Sequence, residues 1–330
     1  MNINEIAEIA GVSRATVSRY LNNGYISEEK RKKVQKVIEE TGYKPSAQAQ
    51  MLRTKKTRLI GVILPKINSD SISHVVAGIS TVLSQKGYQL LLANTDNDEK
   101  KELEYLQIFH DNQVDGIILV GTIFTKEHKK ILQQSQVPIV IVGQHLAGYS
   151  SVYHDDEGAA KAIAERMIQA GGRNFGYIGV TERDEAVGQG RKNGFLQALS
   201  EANIKIAENH IKVGVFSSES GYENAKELLT LDPKIDSIFC VTDTIAIGAM
   251  DYLKEMKISI PKDVQIVGFG GSRIAKVVTP RLTTVYFAYQ TSGAEAAEML
   301  LGMLEHDEST TKEIKMGYRL VIEDSIRGIS

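Results

Sequence analysis

Between Asn4 and Leu21 the apolar residues Ile6, Ile9, Val12, Val17 and Leu21 recur at helical spacing. Gly11 breaks the run where two short helices would have to turn sharply. Ser13 stands where a hydroxyl can accept from the open amides of the second helix. Ser27, followed by Glu28 and Glu29, predicts a third helix with Val34, Val37 and Ile38 as its apolar face. Gly42 and Pro45 would end it. After Leu59 the pattern changes. Short continuous apolar runs (LIGVILP, YQLLLANT, VDGIILVG, PIVIVG, RNFGYIGV, HIKVGVF, SIFCVTD, DVQIVGFG) alternate with helical stretches. The helices are expected at 73–87, 100–112, from Lys126, from Gly158, at 190–203, 221–231 and 246–256, with a tail helix at 293–306. This alternation predicts an α/β body whose parallel strands are covered by helices on both faces. There are too many units for one compact sheet, so two lobes are expected, with any ligand beyond the carboxyl ends of the strands.

Two helices joined by a tight glycine turn form a helix-turn-helix. The second carries Arg14, Ala15, Thr16, Ser18 and Arg19. Long donors among small groups suit a major groove: arginine to guanine edges, hydroxyls to phosphates, a methyl against thymine. Small helical domains that never meet DNA share this arrangement, so charge is informative. The chain totals -2, but residues 1–58 hold twelve Lys and Arg against six Glu, and the remainder carries -8. A basic head on an acidic body points the head at a polyanion. Asn4 and Asn22, at either end of the helical pair, join the residues expected at DNA.

The segment SAQAQML, residues 46–52, precedes the basic residues Arg53, Lys55, Lys56 and Arg58. A helix this short does not stand alone in water. It is either a hinge that orders on DNA, with a leucine wedge in the minor groove, or a plain linker. No apolar run reaches the roughly 20 residues of a membrane helix. The start MNINEIAEIAG has no basic or apolar leader pattern, so a cytoplasmic protein is expected. The single cysteine, Cys240, lies in an apolar run and cannot form an internal disulfide. No glycine-rich dinucleotide motif, phosphate loop, metal-spaced His/Cys cluster or nucleophile–His pair is present. Neither enzymatic activity nor a cofactor or metal is therefore expected.

The words IAEIAGVSRATVSRYLN and GYKPSAQAQMLRTKKTRLIGVI closely resemble the lactose/galactose repressor (LacI/GalR) family. The resemblance runs through most of the chain. It implies a helix-turn-helix head at 1–45, a hinge helix and linker at 46–58, and a two-lobed, periplasmic-binding-protein-like body at 59–330 that binds sugar and dimerises. The base-reading pair falls on Arg14 and Ala15, with Arg19 as third position. Ser13, Thr16 and Ser18 match backbone-contacting or helix-supporting positions. Leu52 matches the intercalating hinge leucine and Ala49 the small residue beside it. The loop at 22–27 is one residue shorter than in many members, and Gln50 stands where several have arginine. The implied protein is a homodimeric repressor of a sugar-utilisation operon. Its partners would be operator DNA and a sugar or sugar phosphate held between the lobes, with no membrane.

Strand ends supply the expected effector contacts. Asn68, Ser69, Asp70 and Ser71 follow the first strand, and Gln144 and His145 the fourth. Arg191 matches the family's R-x-x-G-F word, whose arginine grips sugar hydroxyls, and a buried arginine there would otherwise lack a partner. Phe216, Thr242, Asp243, Phe269 and Tyr289 complete the set, aromatic faces for a sugar ring beside groups for its hydroxyls. Each has a plainer role available: Asp243 as a helix cap, Phe216 and Phe269 as core, His145 as a loop residue. Gly270 replaces an aspartate common in the family, and GFGGS with KVVTPRLTTV resembles the sucrose- and trehalose-operon repressors of Gram-positive bacteria. Glycine there would also tolerate a phosphorylated ligand.

Overall fold

The computed structural model describes residues 1–43, 56–111, 114–306 and 310–328. It divides into two compact units, Met1–Thr57 and Arg58–Ser330. Ala49 and Leu52 of the expected hinge lie outside the described residues.

The head holds helices α1 (Ile3–Ile9), α2 (Arg14–Leu21) and α3 (Glu28–Thr41). Asn2 caps α1 reciprocally: its Oδ1 accepts from the Asn4 amide at 2.9 Å while Glu5 accepts from the Asn2 amide at 3.2 Å. Gly11 turns at φ 59° and Gly42 ends α3 at φ 63°, conformations glycine adopts without strain. Ser13 accepts from the Thr16 amide at 3.2 Å, but Ser27 makes no such bond. Ile6, Ala7, Ala10, Val17, Val34 and Val37 form the core. Ile9, expected inside, is 57% exposed; the buried face of α1 is completed instead by Ala7 and Ala10, whose small side chains let the helices approach.

The body contains two six-stranded sheets. The first lobe orders β11 (Glu313–Met316), β5 (Ser150–His154), β4 (Ile139–Val142), β3 (Gly116–Val120), β1 (Leu59–Leu64) and β2 (Gln89–Asn94), all parallel. The second orders β12 (Arg319–Val321), β10 (Thr283–Tyr286), β9 (Gln265–Phe269), β8 (Ser237–Cys240), β6 (Phe175–Gly179) and β7 (Ile211–Val213), with only β12 antiparallel. Helices α4 (Asp70–Gln85), α5 (Glu99–Asp111), α6 (Lys126–Gln134) and α11 (Tyr289–His306) belong to the first lobe. Helices α7 (Asp156–Gln169), α8 (Arg191–Glu201), α9 (Ser218–Leu231) and α10 (Asp243–Glu255) belong to the second. The central strands β3, β4, β8 and β9 are buried along their whole length, as apolar runs covered on both faces require. The chain crosses between lobes three times: from β5 to α7, from β10 to α11, and from β11 to β12.

Several helices begin earlier than the apolar periodicity indicates. Helix α4 starts at Asp70, α9 at Ser218, α10 at Asp243 and α11 at Tyr289. Gly221 and Gly293, expected to open helices, sit within α9 and α11 for another reason. A Cβ on Gly293 would strike the Val75 carbonyl, and one on Gly78 the Gln290 carbonyl, so α4 and α11 touch backbone to backbone. Gly221 and Gly248 serve α9 and α10 in the same way. Strands β5, β10, β11 and β12 were not expected. They flank the crossings; β11 and β12 are short, with no fully buried residue, and β11 alternates in exposure.

Candidate functional site

In the head, Arg14, Ala15 and Arg19 stand exposed on α2. Thr16 does not. It is buried, and its hydroxyl lies 3.0 Å from that of Ser13, which places the pair in the helix cap. Asn22 donates to the Ser18 carbonyl at 2.6 Å and closes the end of α2. Asn4 is exposed in the first turn of α1. The Arg31 guanidinium sits 5.8 Å over the Tyr20 ring, a packing role the charge pattern alone could not distinguish from DNA contact.

In the body, a cleft of about 570 Å³ opens where the carboxyl ends of strands from both lobes face each other. It brings together Ser69, Asp70, Ser71, Arg191, Phe216, Thr242, Asp243, Phe269 and Tyr289. His145 is not brought there. It lies in a separate crevice behind the crossings, with Nε2 3.0 Å from Glu313, because the chain turns away after Gly143 at φ 93°. Lys66, Asn68, Thr122, Asp184, Glu219 and Arg273 also line the cleft. Several sit in the polar first turns of helices or just before them, where no apolar periodicity marks an element.

Arg191 has a partner already. Its Nε and Nη2 each lie 2.7 Å from Asp156 Oδ1, and Nη1 donates to the Val241 carbonyl. Its carbon centre is 4.7 Å from the Phe269 ring and 5.5 Å from that of Phe287. Burial, the largest influence, would discharge it, but Asp156 together with Tyr289 and Asp184 more than offsets burial and holds its pKa above the usual value. Arg191 therefore reaches a ligand as part of a fixed buried pair, not as the unpartnered cation expected from sequence.

Asp243 is equally committed. Its Oδ1 accepts from the Thr284 hydroxyl at 2.5 Å and Oδ2 from the Ser272 amide at 2.8 Å. Burial raises its pKa, with these donors opposing. The cap of α10 is Thr242, which accepts from the Ile245 amide at 3.2 Å. Asp243 thus ties the loop after β9 to β10. Gly270 in that loop has φ 133°, and a Cβ there would lie 3.4 Å from Asp243 Oδ2. Aspartate at 270 would strain the backbone and set two carboxylates side by side.

Asp184 caps the wide π-helical turn Glu185–Gly190 that precedes α8. Its Oδ1 accepts from the Val187 amide at 2.9 Å and from Gln144 Nε2 of the other lobe at 3.1 Å. Burial pushes its pKa up to about 6, against the Val187 amide and Arg191. At the crossings His154 packs between the rings of Phe287 and Tyr289, at 4.6 and 5.2 Å, and burial drives its pKa down to about 4. No helix among the described residues is long and apolar enough to cross a membrane.

A model of the lacI family of bacterial regulatory proteins matches residues 2–46, and one of periplasmic-binding-protein-like domains matches residues 164–326. The sucrose operon repressor of Staphylococcus xylosus is 35% identical over 305 residues, spanning 92% of this chain and 94% of its own. The solved complex of the transcriptional regulator CelR with cellobiose matches with a TM-score of 0.76 and 25% identity, covering 98% of this chain and 99% of its own. The lac repressor dimer bound to operator and the anti-inducer ONPF shares the fold, with a TM-score of 0.90 at 20% identity over 99% of both chains.

Proposed function

The chain belongs to the lacI family of bacterial regulatory proteins, and from that premise we propose that it is a cytoplasmic, homodimeric repressor of a sugar-utilisation operon. Its relatives are DNA-binding regulators and not enzymes. The head reads the operator through Arg14, Ala15 and Arg19, two heads meeting half-sites about one helical turn apart. Leu52 then acts as the minor-groove wedge, with Ala49 as the small residue beside it. The sugar sits between the lobes, and its different affinity for their arrangements changes operator affinity by the same factor that DNA changes sugar affinity.

The observation that carries this reading is the joining of the head to a cleft lined by aromatic rings and hydroxyls. Phe216 and Tyr289 offer faces to the C–H side of a sugar ring, Phe269 lies in the core behind Arg191, and Ser69, Ser71, Thr242 and Asp70 offer partners to hydroxyls. Charge favours an uncharged sugar over its phosphate. Asp70, Asp184, Asp243 and Glu219 oppose Lys66, Arg191 and Arg273 along the cleft, and Arg191 is already matched by Asp156. Gly270 is accounted for by its backbone conformation and needs no phosphate to explain it. A thermal-shift screen of neutral sugars against their phosphates tests this: the neutral sugar should raise the melting temperature more. A larger shift with the phosphate would reverse the preference, and no shift with any carbohydrate would remove the sugar-responsive reading.

A further inference from the structure

Gln144 follows β4 in the first lobe, and its side chain reaches the second. The amide nitrogen donates both to the Thr122 carbonyl and to Asp184 Oδ1. Both neighbours are acceptors, so the amide can present only its NH₂ group to them. Its Oε1 is left buried without a hydrogen-bond partner. Gln144 and Asp184 are 3% and 2% exposed, so this bond is shielded from water. Among the described residues, further polar bridges over the cleft lie at the rim: Arg183 to Glu99 at 2.8 Å, Lys66 to the Phe216 carbonyl at 3.4 Å, and Arg273 to Asp70 at 3.9 Å. A bond shielded from water is worth more than exposed pairs of this kind, whether or not its acceptor is charged.

We propose that Gln144 is a positioning residue, which latches the lobes together through Asp184, and that the latch tightens when Asp184 takes up a proton. The proposal rests on the sugar-responsive reading only for its consequence in the cell. The charged groups facing Asp184 are Arg191 and Asp156 from the second lobe, with Glu185 beside it on the turn. Around them lie the pairs Arg183–Glu99, Lys192–Glu182 and, next to Gln144, His145–Glu313. Burial makes the ionised carboxylate costly in this arrangement, and opening the cleft returns it to water. A group whose pKa is raised in one arrangement favours that arrangement below its ordinary value and loses the advantage as pH rises through the raised one. The latched form is therefore favoured in acid and weakens as pH rises through about 6.

Cys240 is buried, so cysteines introduced at exposed Lys129 and Thr230, one in each lobe, take spin labels selectively. Interlabel distances in the full-length protein are then compared at about pH 5 and about pH 7.5. The wild-type chain should show a larger latched share in acid. Asp184→Asn keeps the cap and both accepted hydrogen bonds without the charge, so it should hold the acid-like distribution at both pH values. Gln144→Ala should lose most of the latched population at the higher pH. A Gln144→Ala distribution matching wild type, or an Asp184→Asn variant that follows the wild-type pH shift, would overturn the proposal and leave Asp184 a helix cap. No sugar is needed, so these outcomes are independent of whether a carbohydrate binds.

Discussion

The reading face of the head and the cleft of the body treat charge in opposite ways. Arg14 and Arg19 stand out from α2 into solvent. Arg191 lies 4% exposed, clamped to Asp156 and stacked near two phenylalanine rings. A polyanionic partner brings its own counter-charge and exchanges bound salt for protein cations, so the protein can leave those cations open. A small uncharged ligand brings none. Charges in its cleft must be settled within the protein before it arrives, and what remains for the ligand is shape and directed hydrogen bonds.

The largest test of this contrast is Arg191→Ala. It strands Asp156 in a buried site, and losing one partner of a buried pair costs about 3–5 kcal/mol. Chemical denaturation of the body should show that loss along with loss of the sugar response; an unchanged midpoint would show that the pair is not structural. Arg14→Ala should leave body stability alone and reduce discrimination between operator and random duplex by about 1–3 kcal/mol. Competition binding checks it, and equal discrimination would remove Arg14 from base reading. Gly270→Asp restores the common carboxylate at a cost of about 1–3 kcal/mol for a non-glycine residue in strained backbone. Its melting temperature should fall, and less so in acid, where the new carboxylate and Asp243 need not both be charged. The smallest effect is Ser13→Ala, which removes the cap of α2 and should cost the head about 1 kcal/mol without changing sugar binding. Calorimetry of the head transition reads it.

Much of the fold was legible because parallel strands buried on both faces leave continuous apolar runs, as in LIGVIL and GIILV. The three-helix head was legible from Gly11, Ser13 and Gly42, each of which does locally what its residue type allows. What escaped was concentrated at the cleft. Asp70, Ser71, Asp243 and Tyr289 were legible as strand-end residues but not as the first turns of α4, α10 and α11, and Ser218 and Glu219 of α9 were not legible at all, because residues that face the ligand space break the apolar rhythm. Asp184, and the bond that Gln144 makes to it, escaped for a different reason: the two residues are 40 apart and meet only because the chain crosses between lobes. The pairing of Arg191 with Asp156, 35 residues away, is hidden in the same way.

The central claim is that a salt-sensitive DNA reader and a sugar sensor act on one another within this chain. Fluorescence anisotropy of the purified protein on a duplex from its own promoter and on a random duplex tests it most directly, across salt concentrations and with the sugar that most raises the melting temperature. The account predicts preference for the promoter duplex, affinity that falls steeply with salt, and a change in that affinity when the sugar is added. Equal binding to both duplexes, or promoter binding indifferent to a sugar that demonstrably stabilises the body, would contradict it.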